Sequence, residues 1–150
     1  MNRVVNFLQK RPDVDSEKIS AVAFDELGPT LLHAAAFNKT INSVTLIGPL
    51  SSYQAVIMNK FYDTGLTNCF VAGALTAYDL PDLAVVLAPG KLNLINMRDG
   101  ESKFIDMDKE NSGIELIKTA WQQKNAGRQL SIVKENSADK MFEQFLRHIE

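Results

Sequence analysis

The sequence predicts an α/β domain: a mostly parallel sheet of about four strands with helices on both faces, in three layers. Three observations carry this. Short apolar runs alternate with segments of helical period along the chain. The runs are bounded by turn formers, with Gly48-Pro49 after the second and Pro89-Gly90 before the third. The run Ile19–Phe24 is nearly all apolar, as expected of a parallel strand covered on both faces.

The elements follow in order. Val4, Val5, Phe7 and Leu8 make a short amphipathic helix that ends before Pro12. Residues 19–24 form the first strand and roughly 28–38 a helix. Residues 43–48 form the second strand, and a helix follows near 53–61. Residues 65–79, with two glycines and scattered aromatics, match neither period. Residues 80–87 form a short helix and 91–96 the third strand. In the helix 112–124, Leu116, Ile117, Ala120 and Trp121 share one face, with Ile114 at its margin. Residues 129–134 form the last strand. The last helix, 138–148, carries Met141, Phe142, Phe145 and Leu146 as its core stripe. The third and last strands mix polar with apolar residues and read as nearer an edge. The sheet should therefore be most deeply buried at its first strand and least at its last.

Composition narrows the function. The chain has 150 residues, 45% hydrophobic and 23% charged, which fits one globular domain with a real core. A net charge of −2 and the lack of a basic stripe argue against nucleic acid as a partner. Cys69 is the only cysteine, and His33 and His148 are the only histidines. No intrachain disulfide, metal site or cofactor is expected. Residues 1–10 do not read as a signal peptide, and no run approaches the ~20 apolar residues of a membrane span. The expectation is a soluble chain with no membrane partner. No compartment and no small-molecule ligand is assigned.

Between the first strand and its helix lies Asp25-Glu26-Leu27-Gly28-Pro29. Such a strand–turn–helix junction carries G-x-S-x-G in the nucleophile elbow of α/β-hydrolases. Here the corresponding residues are Ala23-Phe24-Asp25-Glu26-Leu27, so Asp25 occupies the serine position. Arg11-Pro12-Asp13-Val14-Asp15, then this elbow, Gly48-Pro49-Leu50-Ser51-Ser52-Tyr53, Tyr78-Asp79-Leu80-Pro81-Asp82-Leu83 and Ala88-Pro89 follow in order. Together they resemble the C-terminal half of an α/β-hydrolase, most similar to the acetyl xylan esterase and dienelactone-hydrolase-like branch. The resemblance covers nearly the whole chain. It implies that the first strand matches the family's central strand, and that the family's preceding strands have no counterpart in these residues.

The resemblance also implies where a triad would stand. Asp25 holds the nucleophile position. Asp99, in Met97-Arg98-Asp99-Gly100, fits the acid position. The histidine position after the last strand holds Glu135-Asn136-Ser137. His148 lies about three turns down the helix, too far at ~1.5 Å per residue. One oxyanion donor would be the Glu26 backbone N–H, and the other belongs to a strand this chain lacks. Asp25, Glu26, Asp99 and Ser137 are thus degenerate positions, and no catalytic residue is assigned.

Each has a plainer role. Asp25 and Glu26 at a helix start are expected to accept free backbone N–H groups. Asp99-Gly100 equally suits a turn. His33 reads as a packed, hydrogen-bonded histidine, Cys69 as an apolar filler, and Asp79 and Asp82 as caps. The favoured reading is a hydrolase-like domain without catalysis, acting in binding or assembly. The alternatives are an esterase-type hydrolase completed by another chain, or one using Asp25 as a carboxylate nucleophile. A receiver or flavodoxin-like domain shares the alternation, but no strand end carries a phosphate-cradling glycine loop. An apolar first strand with nothing before it to cover its outer side predicts either a homodimer, with Val22 and Phe24 near the contact, or a missing N-terminal half.

Overall fold

The computed structural model describes residues 2–106 and 111–149. The elements are α1 (Asn2–Gln9), β1 (Ile19–Phe24), α2 (Leu27–Phe37), β2 (Ile41–Ile47), α3 (Tyr53–Ile57), α4 (Leu80–Val86), β3 (Lys91–Ile95), α5 (Ser112–Gln123), β4 (Leu130–Val133) and α6 (Ala138–Ile149). The stretch 65–79, which matches neither period, contains two short 3-10 turns, Thr64–Cys69 and Ala74–Thr76. The helix near 53–61 stops at Ile57, four residues early.

The four strands are parallel, in the order β1-β2-β3-β4. Successive side chains alternate between the faces. Ala21, Ala23, Val44, Leu46, Leu92 and Leu94 fall on one face by register. That face packs against α2, α4 and α5, where Leu32, Leu80, Ala84 and Ile117 meet Leu46 and Leu94. The opposite face carries the rows Val22–Thr45–Asn93–Ser131 and Phe24–Ile47–Ile95–Val133. α6 covers it over β2 and β3, and its Met141, Phe142 and Phe145 line an apolar groove with Val22, Phe24 and Ile47. This is the three-layer α/β arrangement the sequence predicts.

Burial runs against expectation at two strands, β1 and β3, while β4 lies at an edge as its mixed residues predict. β1 is an outer strand, not the most deeply buried one, because β2 lines only one of its edges. Val22 and Phe24 are exposed accordingly. β3 is interior rather than near an edge, and Leu92, Asn93, Leu94 and Ile95 are all buried. Its polar residues misled the reading: Asn93 lies fully inside, flanked by Thr45 and Ser131. On α5 the inward face is Ile114, Ile117 and Trp121, spaced i, i+3 and i+7. Leu116 sits off that line and is 44% exposed, so it leaves the predicted core. Trp121 is fully buried, and its indole N–H donates to the Gly90 carbonyl (3.0 Å), fixing α5 to the start of β3.

Candidate functional site

In an open parallel sheet, ligands bind beyond the carboxyl ends of the strands. Here three strands leave the sheet through residues with positive φ: Asp25 after β1 (46°), Gly48 after β2 (68°) and Asn96 after β3 (56°). For Asp and Asn this region is tolerated at some cost, because a short polar side chain can bond locally. Asp25 therefore sits on a sharp strand-to-helix turn, the backbone form of a nucleophile elbow. Its own N–H donates to the Ile47 carbonyl (2.8 Å), and its carbonyl accepts the Gly28 N–H (3.0 Å).

The Asp25 carboxylate does not cap α2, contrary to the expected role. Its Oδ1 lies 3.0 Å from Arg98 Nη2, across the exit of β2. Gly48 makes this possible: a Cβ there would stand 2.4 Å from Asp25 Oδ1. Arg98 is set by its backbone, which donates to Pro49 and accepts from Ser51 (both 2.8 Å), and its guanidinium lies over the Phe104 ring at 5.6 Å. Its Nε is buried without a partner among the described residues. Glu26 occupies the N-cap position of α2 but makes no side-chain cap bond either. The first turn of α2 is closed by backbone instead, with Gly28 packed against Pro49.

Asp99 is a turn residue: its Oδ1 accepts the N–H groups of Glu101 (2.9 Å) and Lys103 (3.0 Å). After β4, Glu135-Asn136-Ser137 occupies the position where a base would stand. Glu135 is latched at both backbone groups by Asn96, whose Oδ1 accepts its N–H (2.8 Å) and whose Nδ2 donates to its carbonyl (2.9 Å). The Ser137 carbonyl accepts the Met141 N–H in the first turn of α6 (3.0 Å). His33 is half-buried; its Nδ1 donates to Pro29 (2.7 Å), which leaves Nε2 to accept from the Tyr78 hydroxyl (2.8 Å). The side chain of His148 lies outside the described residues. Asp79 and Asp82 form a capping box on α4, as expected.

Two clefts adjoin this rim. One, of about 320 Å³, is apolar and lined by Tyr53, Ile57, Phe70, Val71, Ala74 and Leu75. The thiol of Cys69, beside it, donates to the Glu26 carbonyl (3.3 Å) and ties this wall to the elbow. Burial, and then the Glu26 carboxylate, push that thiol above its ordinary pKa, so it is no ready nucleophile. Tyr53 is likewise pushed up to about 12, chiefly by burial, and its hydroxyl donates to the Cys69 carbonyl (2.9 Å). The second cleft has a mixed lining: beside Met58, Ile105 and Leu116 it holds Ser51, Ser52 and the carboxylates of Asp79, Asp82 and Asp99, which are engaged by backbone N–H groups. Among the described residues, no three His, Cys, Asp or Glu side chains stand together as metal ligands, and no helix is long and apolar enough to cross a membrane.

Sequence reasoning found the elbow but missed Arg98 and Asn96. Arg98 gives no local signal, because it reaches Asp25 only through the β2–β3 register. The one available hint was Gly48, a glycine at the strand exit between them.

This geometry is that of an α/β-hydrolase-like domain. No family model matches the sequence, and no curated protein matches it. Solved structures do match the fold. A candidate acetyl xylan esterase from Bacteroides fragilis superposes at a TM-score of 0.67 with 11% identity, covering 92% of this chain and 36% of that one. A glucuronoyl esterase from Solibacter usitatus gives 0.60 and 14%, covering 99% of this chain and 46% of that one. The chain thus spans less than half the length of either neighbour, and at these identities the likeness establishes the fold.

Proposed function

We propose that this chain is a non-catalytic α/β-hydrolase-like module that acts by binding or assembly. The observation that carries the reading is the Asp25–Arg98 ion pair at the elbow (3.0 Å). A carboxylate held this way is a poor nucleophile. An aspartyl ester, if formed, would still need a base to activate water, and the latched Glu135-Asn136-Ser137 segment offers no imidazole. An acyl-transfer triad without its members retains at most ~10³–10⁴-fold over water, and that remainder depends on an intact oxyanion hole.

The test is turnover of p-nitrophenyl acetate by the chain and by Asp25→Ala. The expected result is the buffer rate for both. A robust rate that Asp25→Ala abolishes would establish a carboxylate nucleophile and overturn the reading.

A further inference from the structure

We infer that α6 is a hinged lid, which lifts from the sheet and uncovers Thr45 and Asn93 beneath it while the rest of the fold stays closed. The observation that carries this is the lining of the covered face. Thr45 and Asn93 are 1% and 0% exposed, and Thr45 Oγ1 and both amide atoms of Asn93 are without a partner among the described residues. The two residues stand side by side in the register of β2 and β3, the strands that α6 packs on. A hydroxyl or amide buried without a partner has given up its hydrogen bonds to water, and it regains them when water reaches it. The closed position of α6 is therefore opposed by the groups it covers.

The apolar contacts set against this are thin. On the other face, Leu31 and Leu32 of α2, Leu80 and Leu83 of α4, and Ile117 and Trp121 of α5 are all buried. Among the described side chains of α6 none is buried, and Phe142 and Leu146 are 60% and 38% exposed. The free energy that holds a segment in place follows the apolar surface it buries, so α6 opens well below the energy that unfolds the sheet. Its attachment supplies a pivot. Glu135 is held at both backbone groups by Asn96, so it stays with the sheet. Asn136 and Ser137 then form the pivot between this anchor and the helix. Asn96 Nδ2 also donates to Met141 Sδ (3.2 Å), a weak bond that closes the lid from the same residue. The open state presents a hydroxyl and an amide at the centre of an otherwise largely apolar sheet face. Asp25 and Arg98 take no part in this motion, so the inference is independent of the non-catalytic reading.

Thiol labelling of the full chain tests this in a Cys69→Ala background, where one introduced cysteine reports. Thr45→Cys lies under α6, whereas Val44→Cys lies on the opposite face of the same strand, beside Ala35 of α2; both positions are 1% exposed. In iodoacetamide without denaturant, Thr45→Cys should react about 100-fold faster than Val44→Cys, with circular dichroism unchanged. Adding Asn93→Leu removes the remaining unpartnered amide and should slow the Thr45→Cys reaction about tenfold. Hydrogen exchange of the unmodified chain and of Thr45→Val covers the case in which the leucine variant fails to fold. Amides 142–145 of α6 should share one protection factor, lower than those of β2 and β3, and Thr45→Val should raise it about fivefold. Equal labelling of the two cysteines, or folded variants that leave both rates unchanged, would overturn the lid. So would exchange that falls off residue by residue along α6, which is fraying of a helix end rather than motion of the whole helix.

Discussion

β1 and β3 belong to one parallel sheet, yet they solve opposite problems. β1 is rich in apolar side chains and leaves Phe24 more than half exposed. β3 carries Asn93 at its centre and buries it completely, with neither the Nδ2 nor the Oδ1 atom partnered among the described residues. Place in the strand order, not composition, sets the depth of each. An interior strand is walled by two strands and two helical layers whatever it carries. An outer strand is half-open however apolar it is. The mismatch is informative in both directions. Apolar residues at an outer strand are exposed by their place in the order. An amide at the centre without a bond is a standing cost of roughly 1–3 kcal/mol.

The contrast is broken most directly by truncation. Leu94→Ala removes a buried side chain between β2, α4 and α5 and should lower stability by about 2–5 kcal/mol. Val22→Ala, measured by denaturant unfolding at concentrations where the chain is monomeric, should cost less than about 1 kcal/mol. Equal losses at the two sites would mean that β1 is not an outer strand. A smaller effect sharpens the picture at the exit of β3. Asn96→Ala frees both backbone groups of Glu135 and places alanine at φ 56°, so a loss of about 1–3 kcal/mol is expected. The amide of Glu135 should exchange faster in that variant. One further effect has the opposite sign. Thr45 Oγ1 is buried beside Asn93 without a partner among the described residues, and Thr45→Val keeps its shape. A gain of about 1 kcal/mol should appear as a raised denaturation midpoint with unchanged slope.

Most elements were legible because each has its period and its punctuation. Ile19–Phe24, Leu80–Val86 and Ser112–Gln123 fall within a residue or so of the reading. The parallel sheet followed from the βα alternation, but the outer place of β1 and the depth of β3 did not. Asn93 in an apolar run looks like a half-exposed strand, and only the sheet order shows that it is walled in. At the rim, the elbow was legible from the strand–turn–helix junction, whereas the partner of Asp25 was not. A carboxylate at a helix start has a local use as a cap, and local rules assign it that way. The positive φ at Asp25 and the bare Cα of Gly48 divert it to Arg98, 73 residues away in sequence. Asp79 shows the converse, a cap read correctly from sequence that also serves a distant helix.

That second duty of Asp79 shapes how the chain can change. Besides opening α4, its carboxylate accepts the N–H groups of Tyr53 (2.6 Å) and Gln54 (3.1 Å) at the start of α3. The stretch from α3 to α4 therefore leaves and returns at one point, like a purse drawn shut by a single knot. What lies inside the purse, including the apolar cleft at Phe70–Leu75, is tied back to the body of the domain by Cys69 on Glu26, Asp63 on Gly100 and Tyr78 on His33. Closing a longer loop costs only slightly more chain entropy. Residues could be added or exchanged at its exposed turn, 71–73, while the knot and these ties hold and the buried Leu66, Cys69 and Ala74 stay in place. This segment is thus the part of the molecule in which new binding specificities are most freely acquired.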